Sequence, residues 1–306
     1  LRKEDIMKLL VPVDGSKYSQ VAIHFIASRS ALIGTDAQVE LLNVQAPVPV
    51  RAARVVGKDV VRSYYDDESA KALKPGLAAL KKAGVQFTFA TCVGNAAEEI
   101  ARVAEKTRPD LVVMGSHGHG AFAGLILGSV TNGVLARTTA PLLVLRGSRM
   151  AKGASADSLK VGIAVDGSKF GKAAVKYVLK QRALFGAQAQ FSLIHVVPDF
   201  AGAVMPDMAG IALPALNPEE LKSIQDNAFA SAVEPMRKLF EKDGVAVQTV
   251  ALTGNAGDEI AAYTKKHKLD VLVLGSHGYG AFKQAVLGSV ATRVAAHCDT
   301  PLLLVR

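Results

Sequence analysis

The last 32 residues of the chain repeat a stretch that ends at Arg146. Residues 115–146 read GSHGHGAFAGLILGSVTNGVLARTTAPLLVLR, residues 275–306 read GSHGYGAFKQAVLGSVATRVAAHCDTPLLLVR, and 17 of the 32 positions are identical without a gap. A duplication constrains the fold strongly, because both copies must satisfy one topology. The chain has 306 residues, which at ~150 residues per domain suggests two domains. The repeat divides it into domain 1 over 1–146, a linker over 147–159 and domain 2 over 160–306. The linker, GSRMAKGASADSL, is small and polar.

Each copy opens with a short apolar run that stops at Asp-Gly, KLLVPVDGS at 8–16 and KVGIAVDGS at 160–168. Such runs predict buried parallel strands. A helix follows, with Val21, Ala22, Phe25 and Ile26 at helical spacing in the first copy and Ala174, Val175, Val178 and Leu179 in the second. Second strands are predicted at 39–45 and 190–197, long helices near 58–83 and 217–243, and third strands in VQFTFATCVG and VAVQTVALTG. Asn95 and Asn255 read as N-caps of a further helix, with Glu98 and Asp258 three residues on, close to a capping box. DLVVMG and DVLVLG are fourth strands; helices starting near Ser129 and Ser289 lead to the last strands, PLLVLR and PLLLVR. Five apolar strands alternating with four helices predict, in each copy, a parallel sheet covered on both faces. The second copy is longer between its second strand and Gly254, and the extra length falls in the apolar, proline-broken segment 199–218.

The composition is globular: 50% of residues are hydrophobic and 21% charged. No apolar run approaches the ~18 residues of a membrane span. The start, LRKEDIMKLLVPVDGS, lacks the apolar core of a secretory leader. Cys92 and Cys298 sit in different copies without a CxxC pattern and read as reduced structural thiols. Together these features predict a cytoplasmic protein. The net charge of +9 favours phosphate-bearing partners. The basic residues are scattered, however, and no aromatic-basic interleaving marks a nucleic-acid surface.

The candidate chemistry lies in a pattern Gly-x2-Gly-x9-Gly-Ser, filled by Gly115, Gly118, Gly128 and Ser129 and again by Gly275, Gly278, Gly288 and Ser289. Glycine after a strand permits positive φ and leaves no side chain between backbone and ligand. The Gly-Ser pair falls where a helix begins, and a helix start offers free N–H groups and partial positive charge to a phosphate. The glycines also have a packing reading, as turns and close helix–sheet contacts. Asp14 and Asp166 either contact a ligand or shape the strand-to-helix turn. His117 and His277 either donate to phosphate or orient the loop. His119 becomes Tyr279 in the second copy, so duplicated chemistry cannot require it. His117 and His119 have no third ligand nearby, so no metal site is expected. Walker A, GxGxxG and GxSxG patterns are absent.

At these residues the chain resembles the universal stress protein family in its tandem, ATP-binding form. The resemblance rests on VDGS, the second-strand valine, the GSHG loop, the LGSV helix start and the PLLVL strand. It implies strand order 3-2-1-4-5 in each copy, a stress role and ATP, with Mg²⁺ bridging phosphates, held tightly and hydrolysed slowly or not at all. Carried over, Pro12, Val13, Asp14 and Val44 would lie against adenosine, Met114 and Gly115 near the ribose, and His117, Gly118, Gly128, Ser129 and Val130 toward the phosphates. In the second copy the matching residues are Val165, Asp166, Val196, Leu274, Gly275, His277, Gly278, Gly288, Ser289 and Val290, with Ala164 in place of Pro12. No catalytic residue is assigned. The final strands of the two copies are expected to pair as an intramolecular pseudo-dimer, with further homodimerisation open. Two other functions remain open: binding of an apolar ligand or partner through 199–218, and a genuine ATPase or phosphotransferase.

Overall fold

Apolar runs that end at Asp-Gly become strands here because the chain covers both of their faces. The computed structural model describes residues 6–33, 37–118, 127–146, 158–199, 217–275 and 287–306. The first half runs β1 (Lys8–Pro12), α1 (Lys17–Ala27), α2 (Ser30–Ile33), β2 (Gln38–Gln45), α3 (Val50–Val56), α4 (Lys58–Lys82), β3 (Phe87–Val93), α5 (Ala96–Thr107), β4 (Leu111–Gly115), α6 (Ser129–Arg137) and β5 (Leu142–Leu145). The second runs β6 (Lys160–Ala164), α7 (Lys169–Lys180), a 3-10 turn (Arg182–Phe185), β7 (Gln190–Val197), α8 (Pro218–Lys242), β8 (Val247–Thr253), α9 (Ala256–His267), β9 (Val271–Gly275), α10 (Ser289–His297) and β10 (Leu302–Val305). The four expected helices per half are joined by short additions, of which α3 was not foreseen. None of its residues is buried, so it leaves no apolar periodicity. Of the segment 199–218, residues 200–216 lie outside the described residues, as do 147–157 of the linker.

The strands form one ten-stranded sheet, β3-β2-β1-β4-β5-β10-β9-β6-β7-β8. Each half has the 3-2-1-4-5 order with parallel neighbours. At the centre β5 and β10 pair antiparallel, with Leu302 opposite Val144, Leu303 opposite Leu143 and Leu304 opposite Leu142. PLLVLR and PLLLVR therefore meet within one chain. Period-2 alternation sends Leu9 and Val11 to one face and Leu10 to the other. Each face carries an apolar cluster drawn from both halves: Phe25 and Leu143 join Val161 and Phe240 on one, and Ile100 and Val144 join Ile260 and Leu304 on the other. The buried core thus crosses the seam without interruption.

Helix starts follow local chemistry. Ser16 and Ser168 accept from the amides of Ser19 and Gly171 at 3.3 and 3.2 Å. Asn95 accepts from Ala97 and Glu98, and Asn255 from Gly257 and Asp258. The carboxylates three residues on turn to neighbouring helices. Glu98 lies 3.8 Å from Arg137 on α6, and Asp258 accepts from Arg293 Nε on α10 at 2.7 Å. A complete capping box appears instead at α8, between Asn217 and Glu220.

Candidate functional site at the crevice between strands 1 and 4

The strand order reverses between β1 and β4, and between β6 and β9, so a crevice opens beyond their carboxyl ends. At its rim the chain must turn sharply from strand to helix. Gly15 (φ 82°) and Gly167 (φ 80°) supply the left-handed backbone. One carboxylate oxygen of Asp14 and of Asp166 accepts from the amide of Ser16 and Ser168, both at 3.0 Å. The other oxygen of Asp14 lies against Gly118, where a Cβ would sit 2.6 Å from it. Asp14 thus shapes the turn with one oxygen and faces the glycine loop with the other.

The expected positive φ of the loop glycines is not found among those described. Gly115, Gly118, Gly128, Gly275 and Gly288 are not left-handed. Their need for glycine is spatial. A Cβ on Gly115 would meet Tyr18 at 2.6 Å, and one on Gly275 would meet Phe170 at 2.9 Å, so α1 and α7 can pass close over the strand ends. For these two positions the packing reading holds.

Gly128 and Gly288 are the N-caps of α6 and α10, extended at φ −63°, ψ 157° and φ −62°, ψ 155°, and neither helix has a side-chain cap. By contrast α1, α5, α7, α8 and α9 all have one, while α3 and α4 do not. A helix start without a side-chain acceptor leaves first-turn amides for another acceptor. The first turn of α6 is nonetheless fixed: Gly128 N donates to Ser116 O at 2.8 Å, and Thr131 Oγ1 donates to Gly115 O and Ser116 O at 3.2 and 3.3 Å.

These elements enclose a cavity of about 430 Å³. Every site residue expected in the first half borders it: Pro12, Val13, Asp14, Val44, Met114, Gly115, His117, Gly118, Gly128, Ser129 and Val130. Ser19, Leu42, Ala96, Ile100 and Thr131 border it too and were missed. Leu42 was within reach of the sequence, since it shares a strand face with Val44. Thr131 lies in the first helical turn after Ser129, where its hydroxyl reads as an ordinary surface group. His117 is held at the rim, with Nδ1 3.0 Å from Ser116 Oγ and its ring 5.5 Å from that of Tyr18.

The second half repeats the frame with substitutions. Val165 N donates to Ile194 O at 2.9 Å as Val13 N donates to Leu42 O at 2.8 Å. His195 Nδ1 lies 2.8 Å from Val165 O, where Asn43 Nδ2 donates to Val13 O at 2.7 Å. Val196 packs partly buried on the core, as does Val44, and Leu274 is buried. Ser289 and Val290 begin α10. His277 and Gly278 lie outside the described residues, as do His119 and Tyr279.

Among the described residues no three His, Cys, Asp or Glu side chains group to hold a metal, and no helix is long and apolar enough to cross a membrane. Both cysteines are free. Burial first, and the nearby Glu99 next, push the Cys92 thiol upward, and burial likewise raises that of Cys298. Neither is poised as a thiolate nucleophile.

Comparison with known proteins gives one answer. A sequence model described as the universal stress protein family matches residues 6–146 and again 159–306. A universal stress protein of Mycolicibacterium smegmatis is 24% identical over 312 residues, covering 97% of this chain and 96% of its own length. One from Mycobacterium tuberculosis is 25% identical over 306 residues, with the same coverage of both chains. The crystal structure of a universal stress protein from Archaeoglobus fulgidus superposes with a TM-score of 0.70 at 20% identity, covering 98% of each chain, and shares the fold. With two family-length matches end to end, the chain belongs to the universal stress protein family.

Proposed function

We propose that each half binds an adenine nucleotide, ATP with Mg²⁺, and that the protein is a cytoplasmic stress-response regulator whose nucleotide occupancy is its signal. The observation that carries this reading is the pair of glycine-started helices, α6 and α10, which begin without a side-chain cap, unlike the capped α1, α5, α7 and α9. Phosphate oxygens would accept from the first-turn amides of Ser129 and Val130, with the Ser129 hydroxyl as a further donor. Val13, Leu42, Val44, Ile100 and Met114 give the cavity an apolar wall suited to a flat base. Asp14 borders the same cavity and would face the ribose.

Among the described residues, the titratable side chains at the first cavity are Asp14 and His117, and both are engaged locally, in the Ser16 turn and with Ser116. Neither is set up as a dedicated base for water attack, which supports binding with slow hydrolysis at most. The test is to denature the purified chain, identify released nucleotide by chromatography, and titrate the nucleotide-free protein with ATP and magnesium by calorimetry. Two moles per chain are expected. No saturable heat at millimolar ATP would overturn the reading.

A further inference from the structure

Arg146 follows β5 and Arg306 follows β10, at the same position of the repeat. Each reaches across the seam. Arg146 Nη1 donates to Ala295 O and Cys298 O of the α10 end, both at 2.6 Å. Arg306 Nη2 donates to Leu135 O of the α6 end. Leu135 and Ala295 are again equivalent in the repeat, so the exchange is reciprocal. The carbonyls of a last helical turn lack partners within the helix and carry its negative dipole end, so an arginine there both satisfies and anchors them. Arg146 is buried, which leaves water little access to replace it.

The helices anchored in this way are the two whose opposite ends start at Gly128 and Gly288. Each is nine residues long and too short to bend much between its ends. A shift at the carbonyl end is therefore passed to the amide end, where hydrogen-bond geometry is sensitive to fractions of an ångström. Building on the nucleotide reading above, we infer that Arg146 and Arg306 are crossed positioning residues, each setting the phosphate-binding helix of the opposite half. Arg146 belongs to the first half and serves the second site; Arg306 belongs to the second half and serves the first.

The two anchors are unequal. The first turn of α6 is also tied to the end of β4 by Thr131. Its equivalent in α10 is Ala291, which has no hydroxyl. α10 therefore depends more on its arginine, and that arginine makes two bonds to it.

The test uses the full chain with Arg146→Gln, Arg306→Gln and the conservative Arg146→Lys. Hydrogen–deuterium exchange is followed by mass spectrometry over 127–137 and 287–297 as ATP with magnesium is titrated. In Arg146→Gln, exchange over 287–297 rises without nucleotide, and the ATP needed to protect it rises about tenfold, the scale of one lost charged hydrogen bond. Protection of 127–137 stays unchanged. Arg306→Gln gives the mirror result with a smaller shift, and Arg146→Lys recovers part of the loss. Equal shifts at both helices, a shift only in the variant's own half, or no shift would overturn the inference while leaving nucleotide binding intact. An unmutated chain in which ATP protects neither helix would overturn both.

Discussion

Gly118 and Arg29 show how much one position can carry. A Cβ on Gly118 would press on Asp14 at 2.6 Å and occupy cavity space. Gly118→Ala is expected to weaken ATP binding at the first site about tenfold with the circular dichroism spectrum unchanged; calorimetric titration checks it. Arg29 is 1% exposed. Its Nη1 donates to Phe25 O at 3.3 Å and Ser28 Oγ at 2.8 Å, and its guanidinium lies 4.0 Å over the Phe25 ring. Nε and Nη2 have no hydrogen-bond partner among the described residues. Burial pushes its pKa down to about 10, below the ordinary guanidinium range, against the opposing pull of Asp270. A base with a depressed folded pKa holds fewer protons folded than unfolded between its folded and unfolded values. Its penalty is thus fully present below pH about 10 and is relieved as pH rises above it. Arg29→Met removes the buried charge and is expected to raise stability at pH 7 by about 1–3 kcal/mol, read as a shift in the urea midpoint. A fall in that midpoint would show that the charge is compensated.

At the scale of elements, the crossing of α5 with α6 and of α9 with α10 imposes one rule by two solutions. In the first half Ala97 faces Gly133, where a Cβ would come within 2.5 Å of the Ala97 Cβ. In the second half Gly257 faces Arg293, where a Cβ would come within 2.6 Å of the Arg293 Cβ. One member of each pair must be glycine, and the copies chose opposite members. Gly257→Ala should destabilise by about 1–3 kcal/mol. The double variant with Arg293→Gly should lose less than the two single variants summed, which a double-mutant cycle in urea measures. None of this was visible in the sequence, where Gly133 and Gly257 read as unrelated positions. The strands were visible, because β1, β4, β6 and β9 are unbroken apolar runs, and so were the caps at Asn95 and Asn255. α3 was not, since an exposed helix has no buried stripe. Of the two readings the sequence left open for Gly115 and Gly275, left-handed backbone and close packing, the approach of Tyr18 and Phe170 selects the second.

At the scale of the molecule, the repeat foretold two like halves, and the family resemblance the meeting of their last strands. Neither foretold that both apolar clusters would run through the seam, because that depends on which faces Leu143, Val144, Leu303 and Leu304 present. Tyr177 of the second half also bonds across it, its hydroxyl donating to Asp110 O at 3.0 Å. The two halves should therefore unfold together, in a single calorimetric transition whose van't Hoff and calorimetric enthalpies agree. Leu303→Ala, at the centre of the seam, should lower stability by about 2–5 kcal/mol and keep one transition; two resolved transitions would show the halves to be independent. The seam has one more consequence. Because tethered partners meet at an effective concentration set by their link and not by abundance, this pairing survives any dilution. It always joins one copy of each kind. Asn43 and Thr131 on one side, His195 and Ala291 on the other, are thus free to drift apart without ever being paired with their own likeness.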